Sequence, residues 1–358
     1  MKKFSKLISL LVICCILISS FAGCSSNKDY KEGTRTITDI TGKKIEIPSK
    51  VTKVVNLFPF GCQIMIGLDL EEYLIGISQD TVETGWIELM CPEMKNIPTY
   101  SDEVSAEALL AINPDVVFCA DPEQAKDFRS KGITAVTFMY LSIDELKFTV
   151  ELMGEILGGK AQEKCTAYNS YIDSKVADVD SALKNVINKR ETLYYINGAK
   201  DRGFYKTGGA NSTTEACTNL AYVDLVTSSL ITFPETKVDS EAVLATNPQN
   251  IIIGGNYQHI LYDEIYQADE WSQISAIKNG NVFKIPMGIS AWNRYSLETA
   301  LLIPWTASVV YPEYYEFDAV QEVIDFYKTF TNFELTKQQA EYMIAGLTPN
   351  GEKEIASR

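Results

Sequence analysis

Histidine is almost missing from this chain: His259 is the only one in 358 residues. That excludes a metal centre built from several imidazoles, and any Ser-His-Asp triad would have to pass through this one ring. Basic residues are scarce beside acidic ones, 32 against 47, giving a formal net charge of −15. Nucleic acid is excluded as a partner on that balance, because phosphate contacts need clustered Lys and Arg. Acidity alone names no ligand; mostly it keeps an exported protein soluble. A G-x-S-x-G elbow and a phosphate-cradling Gly loop are both absent, which removes two common marks of enzymes. There is no CxxC pair and no zinc-like cysteine spacing. Cys62, Cys91, Cys119, Cys165 and Cys217 therefore read as small buried hydrophobes, or at most as one or two pairs. Long apolar runs are lacking beyond the first two dozen residues. Thr299 to Tyr311 is too short to span a bilayer and is interrupted by Pro304.

What is there begins with an export signal. Lys2, Lys3 and Lys6 precede an apolar run from Leu7 to Phe21, and Ala22-Gly23-Cys24 follows. A Cys directly after Ala-Gly has the form of a bacterial lipobox, with Phe21 in place of the usual Leu. The expectation is a signal over residues 1–23, lipidation at Cys24, a polar tether over 24–33, and anchoring by lipid rather than by a spanning helix.

Residues 104–117 (VSAEALLAINPDVV) recur as residues 238–251 (VDSEAVLATNPQNI), with Val, Glu, Ala, Leu, Ala, Asn and Pro matching without a gap. Each copy reads as a short helix, a turn at Asn-Pro and an apolar strand, so one supersecondary unit is used twice. Two such α/β lobes leave a crevice at the carboxyl ends of their strands. Glu107 and Glu241 occupy the same place in the two copies. Ser105 and Asp239 read as N-caps, so both glutamates fall in a first helical turn, where negative charge complements the helix dipole.

Around the repeats, alternating residues on either side of Thr41-Gly42-Lys43 predict a hairpin. Strands are expected at 51–57, 74–77, 116–119, 135–138, 192–196, 251–253 and 282–285, and a long polar-aromatic loop at 78–100. His259 reads as a surface residue rather than an axial metal ligand. Ser142 and Glu145 have capping-box spacing ahead of Ile143, Leu146, Val150, Met153 and Leu157. After Gly158-Gly159 the same rhythm runs through Ala161, Cys165, Tyr168, Ile172, Val176, Val179, Leu183 and Val186, with no Gly or Pro before Arg190. Such a helix would be about 40 Å long, enough to brace two lobes. The expected division is an N-terminal lobe over 34–141, a bracing segment over 142–190, a C-terminal lobe over 191–346 with terminal helices, and a tail over 347–358.

The lipobox, the two repeated lobes and the bracing helix together resemble the class III substrate-binding proteins of ABC importers. Further motifs carry the resemblance along the whole mature chain: Asp39-Ile-Thr-Gly42 before Ile47-Pro48, the two Asn-Pro units, Pro286-Met-Gly-Ile-Ser-Ala-Trp292, and Phe326-Tyr-Lys-Thr-Phe330 ahead of Leu335-Thr336. The resemblance implies two Rossmann-like lobes with parallel-rich sheets joined by one long rigid helix. It also implies an extracytoplasmic, lipid-anchored, monomeric receptor, not an enzyme, whose partner is a membrane permease dimer. One acidic residue on each lobe, Glu107 and Glu241, would dock on that permease.

The cargo implied is an iron chelate of the siderophore type, with cobalamin or haem as alternatives and no cofactor of the protein's own. Candidate ligand-binding residues are Trp292, Arg294, Trp86, Phe58, Tyr205, Arg202, Tyr257 and Tyr140. Aromatic rings suit a bulky chelate and arginines suit its anionic oxygens. An exported α/β hydrolase is the competing class, and with one histidine it would depend on His259. The rigid brace predicts closure by a few degrees rather than a wide swing.

Overall fold

A computed structural model of the chain describes residues 33–81, 84–198, 203–255 and 257–353. The signal, Cys24, Arg202 and the end of the tail lie outside these residues. The predicted hairpin is present. Strands β1 (Thr34–Thr38) and β2 (Lys44–Pro48) pair antiparallel, and the Asp39 carboxylate accepts from Thr41 and Lys43 to close the turn.

Two parallel sheets follow. The first takes β3 (Val54–Asn56), β4 (Leu74–Ser78), β5 (Thr99–Tyr100), β6 (Val116–Cys119) and β7 (Ala135–Thr137) in the order β5-β4-β3-β6-β7. The second takes β8 (Thr192–Asn197), β9 (Asp224–Leu225), β10 (Asn250–Gly254) and β11 (Val282–Lys284) in the order β9-β8-β10-β11. Read side by side, β4-β3-β6-β7 and β9-β8-β10-β11 are one plan used twice, with β5 added to the first lobe. The sequence repeat sits at the same point of each plan. Ser105 caps Ala106–Ile112 and Asp239 caps Ser240–Thr246, and each helix stops on a left-handed asparagine, Asn113 or Asn247. Pro114 and Pro248 follow, so neither helix can continue, and the chain turns into β6 or β10. Every residue of β6 and of β10 is buried, as strands covered on both faces must be.

Between the lobes run two helices, Ile143–Leu157 and Gly159–Leu183. Ser142 caps the first by accepting from the Glu145 amide, while the Glu145 carboxylate reaches the Leu141 amide. Gly158, at φ +71°, separates the two. The second helix is continuous for 25 residues, about 37 Å of unbroken rod. It ends at Leu183, short of Arg190, because beyond that turn no apolar stripe meets the core: Val186 is 42% exposed. Its buried face is Ala161, Cys165, Tyr168, Ile172, Val179 and Leu183. Tyr168 Oη donates to the Leu297 carbonyl, and Lys175 pairs with Glu322 at 2.7 Å. The rod is thereby fastened to the C-terminal helices Thr299–Val310 and Ala319–Phe330.

Two expectations need correction. The stretch 78–100 is not a loop: it folds as a helix at Gly85–Met90, a 3-10 turn at Pro92–Asn96 and then β5. Thr84 caps the helix and Pro92 starts the 3-10 turn, signals that a reading for apolar periodicity passes over. His259 is not at the surface; it is 5% exposed, with Nε2 at 2.7 Å from the Gly346 carbonyl. The five cysteines among the described residues are free and buried.

Candidate functional site: the cleft between the sheets

The carboxyl ends of both sheets feed loops toward one another, and three polar contacts, one buried and two part-buried, join the first lobe to the second lobe and its C-terminal segment. Tyr140, after β7, donates its hydroxyl to the Tyr295 carbonyl at 2.7 Å. Thr84, between β4 and the helix Gly85–Met90, donates to the Gly288 carbonyl at 3.0 Å. Trp86 donates its indole N–H to the Leu347 carbonyl at 2.9 Å. The loops after β7 and β11 are counterparts in the doubled plan, and they meet.

The loop after β11 is the most elaborately held segment. Glu298 is wholly buried, and its carboxylate accepts from the Ser290 amide at 3.1 Å, Ser296 Oγ at 2.9 Å and Tyr327 Oη at 2.8 Å. Tyr327 Oη in turn accepts from the Ile289 amide. A buried charge with no cation survives only where several donors converge on it. Gly288 is needed for the same reason: a Cβ there would lie 1.9 Å from Tyr327 Oη. The loop then makes a 3-10 turn at Trp292–Arg294 and places Tyr295 in the left-handed region at φ +56°. For a residue with a Cβ that conformation costs about 1–2 kcal/mol. It is held by the Tyr140 bond and by Tyr295 Oη donating to Thr214 Oγ1 at 2.6 Å. Asn293 reaches across to Asn197 at the end of β8, Nδ2 to Oδ1 at 2.6 Å.

This scaffold presents Arg294. Its guanidinium is partly withdrawn from water, which pulls its pKa below the ordinary value, while the field of Asp80 after β4 pushes the other way. It makes no hydrogen bond or ion pair with a described residue. An arginine stays charged regardless, so here is a half-buried cation that Asp80 of the opposite lobe reaches only through its field. Across the cleft stands an aromatic step. Phe58 packs edge-on against both Phe60 and Tyr140, each with centroids 5.6 Å apart, and Met139 beside them is 44% exposed.

The other candidates are placed differently. Trp86 and Trp292 are 0% exposed; Trp292 packs edge-on against Trp305 at 6.4 Å and its Nε1 has no partner among the described residues. In this state both tryptophans are joinery between elements. Tyr205 is half-buried and stacks on Trp271 within an aromatic cluster of the second lobe. Tyr257 is half-buried at the start of the helix after β10. Phe58, Tyr140 and Arg294 are thus brought to one place. Reading the sequence misses Glu298, Tyr295, Thr84 and Asn197, although a lone Glu between Ser296 and an apolar run is a recognisable sign of a buried acceptor.

Comparison with known proteins decides the family. A model described as periplasmic binding protein matches residues 74–287, more than half the chain. The chain belongs to the periplasmic binding protein family. Among similar proteins, the molybdate-binding protein MolA of Haemophilus influenzae is 26% identical, covering 91% of this chain and 96% of that one. The iron(3+)-hydroxamate-binding protein YxeB of Bacillus subtilis is 21% identical over 79% and 89%. A periplasmic solute binding protein from Veillonella parvula superposes with a TM-score of 0.75 at 22% identity, covering 89% of this chain and 99% of that chain. The molybdate-bound structure of MolA gives 0.73 at 24%, covering 84% and 99%. As a class III periplasmic binding protein, this chain is an extracytoplasmic solute-binding component of an ABC importer. No helix among the described residues is long and apolar enough to cross a membrane.

Proposed function

We propose that this periplasmic binding protein captures an anionic metal species between its lobes, with Arg294 as the principal contact, and delivers it to a permease. The observation that supports this reading is the half-buried Arg294 guanidinium, which no described residue hydrogen-bonds or pairs directly. Burying a lone cation is costly, and an anion arriving between the lobes removes that cost while gaining charge-assisted bonds. Phe60 and Met139 supply apolar surface on the opposite lobe, backed by the buried Phe58 and Tyr140. No covalent step is involved.

Two cargoes fit that chemistry. An iron chelate whose carboxylate or catecholate oxygens leave it negatively charged would use both Arg294 and the aromatic step, and two similar proteins are named for binding another iron(3+) chelate, the hydroxamate. A tetrahedral oxyanion is the second reading. It is favoured by the greater similarity to a molybdate-binding protein and by the burial of Trp86 and Trp292, which leaves less ring surface for a large chelate. Native mass spectrometry of protein purified from its own source would weigh what it retains. A ferric chelate, molybdate, haem and cobalamin differ widely in mass, and a retained solute that lacks either a metal or a net negative charge would contradict the proposal.

For delivery, Glu107 and Glu241 are exposed on corresponding helices of the two lobes. Their equivalence supports a paired acidic contact with a permease dimer. Glu107 also serves its own helix: its carboxyl is held below the usual range by its own backbone amide, and next by Ser105. Cys24 would tether the receptor to the membrane. Replacing both glutamates by alanine should abolish uptake while leaving cargo binding intact; unimpaired uptake would remove them from that role.

A further inference from the structure

We propose that Glu71, Cys91 and Glu93 form a second site, away from the cleft, for one thiophilic divalent cation of the zinc class. Glu71 stands in the 3-10 turn just before β4, and Cys91 and Glu93 stand in the turns that lead to β5. All three therefore lie at the amino ends of the strands, the edge of the sheet opposite the cleft loops. Cys91 links the helix Gly85–Met90 to the 3-10 turn that follows, so its side chain is fixed from both sides.

The thiol sulfur and one oxygen from each carboxylate lie within 4.8 Å of one another. A four-coordinate zinc ion, with sulfur at about 2.3 Å and oxygen at about 2.0 Å, sets sulfur and oxygen about 3.5 Å apart. Drawing the donors in by about an ångström would complete such a set, with water in the remaining position. Two members of this set have no hydrogen-bond partner among the described residues. Cys91 is only 6% exposed, yet its thiol makes no hydrogen bond. Glu71 Oε2 is also buried and has no hydrogen-bond partner.

The neighbouring ammonium does not fill the gap. Lys164 is bonded to the Asp69 carboxylate and to its carbonyl, with only its field reaching Glu71. Burial first, then the charges of Glu71, Glu93 and Asp69, push the Cys91 thiol up to about 12. Burial likewise raises the Glu71 carboxyl. One soft and two hard donors favour zinc or cobalt over magnesium or calcium, which want oxygen alone. On binding, the S–H bond breaks, its proton leaves to solvent, and the sulfur lone pair forms the bond to the metal. The ion would tie the segment carrying Trp86 to the base of β4, stiffening the piece of the first lobe that meets Leu347.

Cobalt(II) chloride titrated into the purified mature chain tests this directly, because thiolate ligation gives a charge-transfer band in the near ultraviolet. The expected result is a band saturating at one cobalt per chain, displaced by zinc, and absent in Cys91→Ser. Glu93 is exposed, so Glu93→Gln should leave the fold intact and weaken cobalt binding about tenfold or more. No band in the parent protein, a band that survives in Cys91→Ser, or an unchanged affinity in Glu93→Gln would each overturn the site. The cleft plays no part in this readout.

Discussion

The two lobes share a strand plan but divide the labour. Around the equivalent positions β6 and β10 they are near copies, down to a capped helix, a left-handed asparagine and a proline. At the loops after β7 and β11 they diverge. Beside the loop after β7 and the one after β3, the first lobe offers apolar surface at Phe60 and Met139 over the buried Phe58 and Tyr140; the second offers one cation at Arg294. The difference shows how a doubled scaffold becomes a specific site. The frame is duplicated and stays conservative, while the facing loops are made complementary, one apolar and one charged. It also explains where buried polar groups are concentrated. Glu298, Ser290, Ser296 and Tyr327 fix the loop that must hold a desolvated charge, and the aromatic side needs only packing.

Breaking the support of the charged loop should have the largest effect. Gly288→Ala would set a methyl 1.9 Å from Tyr327 Oη and displace it from Glu298. The expected loss is roughly 3 kcal/mol or more of stability, read by urea denaturation, together with loss of cargo binding. Removing the charge while keeping the loop comes next. Arg294→Ala should weaken cargo binding about 100-fold, with a melting temperature equal to or above that of the parent, since an unpaired cation no longer has to be desolvated.

The conserved half of the comparison can be sharpened with a matched pair. Asn113→Ala and Asn247→Ala each force alanine into the left-handed region, at φ 50° and 46°. Each should cost about 1 kcal/mol, and denaturant midpoints should shift alike; a large inequality would mean the two units are not equivalent in packing. The smallest effect in solution belongs to Glu107→Ala and Glu241→Ala. Both side chains are exposed, so affinity and stability should hold, and only transport should fall.

Most of the frame could be read from the residues. Hydrophobic rhythm locates the brace, and the repeat locates both lobes, because burial on both faces of a parallel sheet imposes unmistakable apolar runs on β6 and β10. The missed elements are those governed by capping rather than periodicity, such as Gly85–Met90 behind Thr84. The site was legible only in part. Arg294, Phe58 and Tyr140 have the chemistry expected of cleft residues, but only Arg294 keeps appreciable exposure; Phe58 and Tyr140 are 5% and 6% exposed. Trp86 and Trp292 have it equally on paper, yet the fold withdraws both into packing between elements. Residue type names what a side chain is able to do; only tertiary packing decides whether it faces solvent. His259 makes the same point in reverse, a polar ring placed in the interior with burial holding its pKa below the ordinary value, so that it is neutral at pH 7.

Isothermal titration of the parent chain and Arg294→Ala, each with a ferric tris-catecholate and with molybdate, is the most direct test of the account. It predicts that the parent binds one of these anions with an affinity that falls as salt rises, and that Arg294→Ala loses about two orders of magnitude for that same anion. Equal affinity in the two proteins would contradict it, as would tight binding that is indifferent to the charge at position 294.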